Sequence, residues 1–290
     1  MPASNAVREV TAFFIVPTNP NNFHHFWADE FKRLFTVVER TGRLRPGAEN
    51  QIVYRHPALN NTKTTTFEEI LFTLYTNRFH DAFINFAPGT YFRSAVFGTR
   101  IFPAVQERSI VDHVVRELQV APSKPANFVT IVQRRHHRIV NVDEMVRAVK
   151  SIGFPKIRVV DLSLIGVVDQ VRVAASTSLM IGVQGAGLRW AVFMPRGSTL
   201  VEIAWPTKYW NFYYSDVTSS GIKHRHLSAD DLRVNWTSFE HEERGGRLVP
   251  IEERVRLEQN PPTEIHVNNV WKWADVRVNI DDLTKILSSS

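Results

Sequence analysis

The sequence predicts an α/β protein built around a parallel β-sheet with helices on both faces. After residue 125, short apolar segments alternate with amphipathic segments of about ten residues, which is typical of parallel strands joined by helices. A loop between two apolar segments carries Gly185 and Gly187, with Gly182 just before it. Pro122 and Pro125 interrupt the chain ahead of this regular region and predict a domain border over residues 121–125.

The region before that border has a less regular pattern, with three predicted strands and three predicted helices. The strands are expected over residues 11–16, near Phe83 and over residues 91–97, and the helices over residues 26–39, 67–75 and 110–118. We therefore assign residues 1–121 to a small first domain.

The region after the border alternates regularly. The expected strands cover residues 128–132, 157–161, 179–183 and 199–204, and the expected helices cover residues 143–152 and 168–175. Residues 228–260 are charged and are expected to be irregular, whereas Asn279 is expected to cap a last helix over residues 280–287. We assign residues 122–275 to a second domain and residues 276–290 to a C-terminal helix.

Composition restricts the classes of function that are possible. The chain has 290 residues, of which 43% are hydrophobic, and a formal net charge of +6, which favours anionic partners. It contains no cysteine, which excludes disulfides, thiolate metal sites and cysteine nucleophiles. The apolar run over residues 10–16 is too short to cross a bilayer, so we expect a cytoplasmic protein with no membrane span.

Three polar or glycine-rich segments follow predicted strands: residues 133–135, residues 184–187 and residues 202–205. The carboxyl ends of parallel strands share one edge of a sheet, and ligands bind there. Glycines let backbone N–H groups approach a bound anion, and a helix beginning at the loop turns its positive end toward that anion. The spacing fits neither the dinucleotide fingerprint nor the P-loop, so the residues predict a phosphate site of undetermined type.

The ordered set of these segments resembles glycosyltransferase family 61. The matching elements are the strand-end Arg134 or Arg135, Arg138-Ile139-Val140-Asn141, Asp169-Gln170, Gln184-Gly185-Ala186-Gly187-Leu188, Phe193-Met194-Pro195-Arg196-Gly197-Ser198 and Val201-Glu202-Ile203. Upstream, residues 22–29 and 91–98 look like two further motifs of the family. The family's histidine before Gly-Ala-Gly is Gln184 here, which keeps a hydrogen-bond donor but loses any positive charge.

The resemblance implies a GT-B architecture, with two Rossmann-like domains facing a cleft. It implies that the small first domain serves the acceptor, that the second binds a nucleotide sugar, and that the C-terminal helix packs back on the first domain. It also implies an inverting transfer from a UDP-sugar, with xylose ahead of N-acetylglucosamine, to a hydroxyl of a glycan. Neither nucleic acid nor a membrane is an expected partner.

A metal ion is not an expected cofactor. The sequence has no Asp-x-Asp triplet, the usual acidic clamp for a divalent cation on a diphosphate. An enzyme without that clamp must stabilise the departing UDP with cationic side chains and helix N-termini. Arg134 and Arg135, together with the glycines at 185 and 187, are placed in the sequence to do so.

The resemblance also assigns the candidate site residues. Asp29 is the candidate general base and His25 the second choice, since a helix would place the two on one face, four residues apart. The candidate donor-binding residues are Arg134, Arg135, Arg138, Asn141, Gln184, Gly185, Ala186, Gly187 and Glu202.

Structural roles remain open for several of these residues. Asn141 would instead cap the helix that follows it, and the buried carboxylate of Glu202 would accept from a ribose hydroxyl or pair internally. The basic run from Arg134 to Arg138 is also compatible with a nucleic-acid-binding protein. A catalytically inactive relative that only binds a nucleotide sugar is a third alternative, suggested by Gln184.

Overall fold

The structure is a computed structural model that describes residues 7–15, 27, 31–41, 50–54, 91–97, 107–120, 127–204, 214–242, 246–259 and 274–288. Within these ranges the protein is α/β, as predicted, and its nine strands form two sheets. The chain divides into two compact units. Unit 1 comprises residues 1–121 and 166–168, and unit 2 comprises residues 122–165 and 169–290.

Unit 1 contains a three-stranded parallel sheet with the order β2-β1-β3. The elements described in unit 1 are β1 (Val7–Ile15), α1 (Lys32–Arg40), β2 (Asn50–Tyr54), β3 (Tyr91–Phe97) and α2 (Glu107–Glu117). The predicted strands over 11–16 and 91–97 and the helix over 110–118 are confirmed, whereas β2 was not predicted. The helix predicted from residue 26 has its α-helical part from Lys32, and the helix over 67–75 and the strand near Phe83 lie outside the described residues.

Glu107 joins α1 and α2 to the segment that precedes α1. Its buried carboxylate accepts a hydrogen bond from Lys32 Nζ at 2.8 Å and another from Trp27 Nε1. Trp27 is fully buried, and its ring stacks on Phe31 with 5.1 Å between the centroids. The indole therefore anchors the chain at residue 27 through both its apolar surface and its N–H group.

Unit 2 contains a six-stranded sheet with the order β5-β4-β6-β7-β8-β9. Its strands are β4 (Phe128–Val132), β5 (Lys156–Val160), β6 (Thr177–Val183), β7 (Thr199–Ala204), β8 (Lys223–Val234) and β9 (Ala274–Val278). Strands β4 to β8 are parallel to one another, and β9 is antiparallel to β8. The four strands predicted in this region are confirmed to within two residues.

The helices of unit 2 lie in the segments that join these strands, except for α8, which follows β9. They are α3 (Val142–Ser151), α4 (Val167–Ala175), α5 (Tyr214–Ser219), α6 (Trp236–Glu242), α7 (Ile251–Gln259) and α8 (Ile280–Ser288), with 3₁₀ helices over Leu162–Leu164 and Ala186–Phe193. The prediction that residues 228–260 are irregular is wrong, because they contain the end of β8, α6 and α7. None of the helices in the described part of the chain is long and apolar enough to cross a membrane.

One face of the six-stranded sheet carries the hydrophobic core of unit 2. Side chains from five strands pack there against α3 and α8, among them Ile131, Ile181, Ile203, Val276, Met145 and Leu283. The opposite face carries Thr130, Gly182 and Glu202, at the alternate positions of the same strands. Buried apolar side chains such as Val132, Met180 and Leu200 lie on that face too, so it combines packing with polar groups.

The last helix begins as predicted. Asn279 Oδ1 accepts from the backbone N–H groups of Asp281 at 3.0 Å and Asp282 at 3.2 Å, which confirms the predicted cap. The buried Leu283 and Leu287 of this helix join the core of the six-stranded sheet, and its packing on the first domain stays a prediction.

His113 of α2 makes the stability of unit 1 depend on pH. The ring packs edge-on against Phe35, with 5.3 Å between centroids, and Nδ1 lies 2.8 Å from Arg116 Nη2, which donates to it. Burial lowers the pKa of His113 below its ordinary 6.5, although the neighbouring Glu117 carboxylate acts in the opposite direction.

Because the pKa of His113 is lower in the folded than in the unfolded protein, the unfolded state takes up this proton first as the pH falls. We expect the free energy of unfolding to decrease as the pH drops below about 6.5. Urea denaturation above and below that pH should show a weaker decrease for His113→Gln than for the wild type. Replacement of the exposed His241 by Gln is the matched control, and equal slopes for all three proteins would contradict the assignment.

Candidate functional site

The carboxyl ends of β4, β6 and β7 lie side by side at one edge of the six-stranded sheet. Val132 pairs with Gly182 on β6, and Val183 pairs with Ile203 on β7. The residues that follow β4 and β6 therefore leave the sheet from neighbouring positions. Of the third predicted segment, Glu202 lies within β7 and residue 205 is outside the described residues.

The glycine loop, residues 184–187, connects β6 to the 3₁₀ helix that starts at Ala186. Gln184 is buried, and its backbone N–H donates to Ile203 O at 2.8 Å, which ties the loop to β7. Gly185 has extended backbone angles that any residue adopts, and its carbonyl accepts from Leu188 N at 2.9 Å. Backbone conformation is therefore not the reason for a glycine at position 185.

The reason is the close approach of Arg134. The guanidinium of Arg134 occupies the space in which a Cβ atom on Gly185 would lie: Nη1 is nearest, and Cζ is 3.3 Å from that position. Any side chain at residue 185 would displace the guanidinium. The structure thus brings together two of the predicted donor-binding residues, a cation from the end of β4 and a loop backbone from the end of β6.

Gly182 and Gly187 differ from each other in what surrounds them. A Cβ on Gly182 would lie 2.7 Å from Leu188 Cδ2 and 3.1 Å from Val132 Cβ, so this glycine permits close packing of the 3₁₀ helix on β6. A Cβ on Gly187 would meet no atom within 4 Å in the described part of the structure. Gly187 therefore leaves open space next to the loop that Arg134 contacts.

The basic loop, residues 134–138, distributes its cations unevenly. Arg135 is exposed. Arg138 is also exposed, but its Nη2 and Nε donate to Asp275 Oδ2 at 2.6 and 3.0 Å. This hydrogen bonding, together with the charge of Asp275, raises the pKa of Arg138. His137 is buried, so the loop is not a continuous solvated basic surface.

Asn141 has a different role from the helix cap considered above. The buried amide pairs with β9, since Nδ2 donates to Val278 O at 2.9 Å and Oδ1 accepts from Val278 N at 3.0 Å. Nδ2 also lies 3.2 Å from Glu144 Oε2, and this hydrogen bond helps to lower the pKa of Glu144. The side chain does not cap α3. Donor binding by Asn141 stays a prediction, although its amide is already engaged.

Glu202 is fully buried in β7 and pairs internally, which is one of the two alternatives predicted for it. Its Oε2 lies 2.9 Å from His224 Nε2, and Oε1 has no hydrogen-bond partner among the described residues. His226 lies level with Glu202 on β8; burial lowers the pKa of His226 although the Glu202 charge acts in the opposite direction. Internal pairing therefore uses one of the two carboxylate oxygens of Glu202, and a ribose hydroxyl as the partner of the other stays a prediction.

The predicted catalytic pair is not described by the structure. Asp29 and His25 lie outside the described residues, on either side of the buried Trp27. Within the described ranges no three His, Asp or Glu side chains are grouped as ligands for a metal ion.

Sequence reasoning missed Asp275 and His224, and it placed Gln133 at a strand end without giving it a role. Gln133 binds the backbone of Ile139 through both atoms of its amide, Asp275 holds Arg138, and His224 holds Glu202. Asp275 lies 137 residues after Arg138, so no local pattern announces the pair. The alternation of β8, with Leu227 and Ala229 buried between exposed residues, was the available signal for the strand that carries His224.

Comparisons with known proteins give the family. The family model for Glycosyltransferase 61 matches residues 14–201, which include β2 to β6, the basic loop and the glycine loop. The chain is 30% identical over 155 residues to EGF domain-specific O-linked N-acetylglucosamine transferase of Mus musculus, covering 51% of this chain and 28% of the relative. The same enzyme of Rattus norvegicus is 29% identical with the same coverage. That of Gallus gallus is 27% identical over 150 residues, covering 49% of this chain and 26% of the relative.

The chain therefore aligns with less than a third of the length of these curated relatives. The family model, by contrast, spans well over half of the chain and includes both loops at the carboxyl edge of the sheet. On that match, this chain belongs to glycosyltransferase family 61.

Proposed function

We propose that this protein transfers a sugar from a UDP-sugar to a hydroxyl of a glycan acceptor, by single displacement with inversion and without a metal ion. Family membership supports glycosyl transfer. The observation that carries the donor half of the proposal is the Arg134 guanidinium lying on the backbone of Gly185, at the carboxyl edge of parallel strands.

The diphosphate of the donor fits the chemistry of this edge. A guanidinium offers paired donors to phosphate oxygens, and it keeps its charge at any physiological pH. The backbone N–H groups of the glycine loop add neutral donors, and the open space beside Gly187 admits the phosphate. Glu202 Oε1 offers an acceptor for a ribose hydroxyl on the same face of the sheet.

The proposed reaction is one displacement at the anomeric carbon. The acceptor oxygen attacks from the face opposite UDP, the bond from the anomeric carbon to the phosphate oxygen breaks, and its electron pair leaves with UDP. Asp29, with His25 as the alternative, takes the acceptor proton, which is worth about 10²- to 10⁴-fold in rate. Arg134 and the loop N–H groups offset the charge that develops on UDP.

The relatives' names bear on the sugar. They are named as O-linked N-acetylglucosamine transferases, and on that support we propose UDP-N-acetylglucosamine ahead of UDP-xylose as the donor. In the proposed GT-B arrangement, residues 1–121 serve the acceptor and residues 122–275 bind the donor.

The first test is the thermal midpoint measured with a panel of nucleotides and nucleotide sugars, with and without EDTA. A ligand at about 100 times its dissociation constant adds roughly 2.7 kcal/mol of stability, which corresponds to a shift of a few degrees. We expect a shift with UDP and with one UDP-sugar, unchanged by EDTA. No shift with any nucleotide would contradict the proposal, and strongly salt-dependent binding of an oligonucleotide would favour the nucleic-acid alternative.

The second test separates donor binding from folding. Gly185→Ala places a methyl group where the Arg134 guanidinium lies, so the charge-assisted contact with the diphosphate should be lost. That loss should weaken UDP binding by about 10- to 100-fold, measured by isothermal titration calorimetry. Gly166→Ala is the matched control, because a Cβ there meets no described atom. Equal UDP affinity in both variants would remove Arg134 from the donor site.

The third test addresses the base. Asp29→Asn should lower the rate of sugar transfer by about 10²- to 10⁴-fold while UDP affinity stays nearly unchanged. Asp112→Asn, which alters an exposed ion pair of α2, is the control. Turnover by Asp29→Asn at the wild-type rate would exclude Asp29 as the base and leave His25 to be tested.

A further inference from the structure

We propose that Gln133 and Asp275 are positioning residues for donor binding: they close the two ends of the basic loop and so hold Arg134 against Gly185. This inference rests on the proposed function, because it assigns to the loop the task of presenting Arg134 to a diphosphate. Neither residue contacts the donor in this proposal. Both act through the backbone of residues 134–138.

Gln133 closes the base of the loop. Its Nε2 donates to Ile139 O at 2.9 Å, and its Oε1 accepts from Ile139 N at 2.9 Å. The two bonds join the residue before the loop to the residue after it. The backbone N–H of Gln133 in turn donates to Val160 O at 2.9 Å, which ties the closed base to β5.

Asp275 holds the far end of the loop. Its Oδ1 accepts from the backbone N–H of Arg138 at 2.9 Å, while its Oδ2 accepts from the guanidinium of the same residue. The next residue of β9, Val276, donates to Arg138 O at 2.8 Å and accepts from Val140 N at 2.9 Å. The loop end is therefore bound to β9 through an isolated parallel β-bridge between Ile139 and Val276, and the buried carboxylate of Asp275 adds to this attachment.

The loop needs such restraint, because one of its residues has an unfavourable backbone conformation. His137 has φ of +60°, in the left-handed region that residues with a side chain seldom adopt. Conformations of this kind are unfavourable and persist where the surroundings hold them. Release of either end would let the backbone at His137 relax and carry Arg134 away from Gly185.

The direction in which UDP affinity changes when Asp275 is neutralised distinguishes a positioning role from a purely electrostatic one. The carboxylate of Asp275 brings a negative charge next to the basic loop, and a negative charge there opposes binding of an anion. If charge alone mattered, neutralising Asp275 would strengthen UDP binding and would free Arg138 to contact the donor. A positioning role predicts the opposite, weaker binding.

The experiment compares UDP binding by isothermal titration calorimetry in the full chain and its variants. We expect Asp275→Asn and Gln133→Ala each to raise the dissociation constant for UDP by about fivefold or more. We expect no further rise in the dissociation constant when Asp275→Asn is added to Arg134→Ala, because Asp275 acts on UDP binding only through the position of Arg134. The matched control is Arg277→Gln, which breaks an ion pair between β9 and Glu144 outside the basic loop.

The outcomes distinguish the inference from the function on which it rests. A wild-type protein that does not bind UDP would overturn both. UDP binding that weakens in Arg134→Ala but is unchanged or tighter in Asp275→Asn and Gln133→Ala would overturn the positioning role alone. Should Asp275→Asn fail to fold, as judged by circular dichroism, Gln133→Ala decides by the same criterion, including its additivity with Arg134→Ala.

Discussion

The contact between the Arg134 guanidinium and the backbone of Gly185 is the constraint on which the candidate site depends. It requires β4 and β6 to be parallel neighbours, so that the residues after both strands leave the sheet together. It also requires residue 185 to lack a side chain. The guanidinium then lies directly on the backbone of the glycine loop, and a cation beside a loop backbone is an arrangement that suits an anionic ligand.

The two faces of the six-stranded sheet make this arrangement stable. One face is apolar and packs against α3 and α8. The other buries polar groups in matched sets: Glu202 with His224 near the carboxyl edge, and Arg158 with the hydroxyls of Thr130 and Ser176 near the opposite edge. Burial lowers the pKa of Arg158, and its hydroxyl partners offset part of the cost. Glu202 and Arg158 thus each have at least one hydrogen bond on this face.

The end of the chain completes the region around the site. β9 pairs with the far side of β8, and it also binds residues 138–141 through Asp275, Val276 and Val278. Asp275, Val276 and Val278 lie after the segment that the family model matches. The matched segment thus supplies the loops, and the segment after it supplies part of their support.

The sequence alone determined the strands β4 to β7, because their apolar runs and the separate period of the helices between them are both visible in it. It also located the glycine loop and the basic loop. It did not reveal β8, because the alternation of its buried Leu227 and Ala229 with exposed charged residues such as Arg225 and Asp230 is a weaker signal than an apolar run. The partners of Arg138, Asn141 and Glu202 were decided only by the tertiary structure. These hydrogen bonds join residues 137, 137 and 22 positions apart, and no local pattern encodes which distant group will satisfy a buried polar atom.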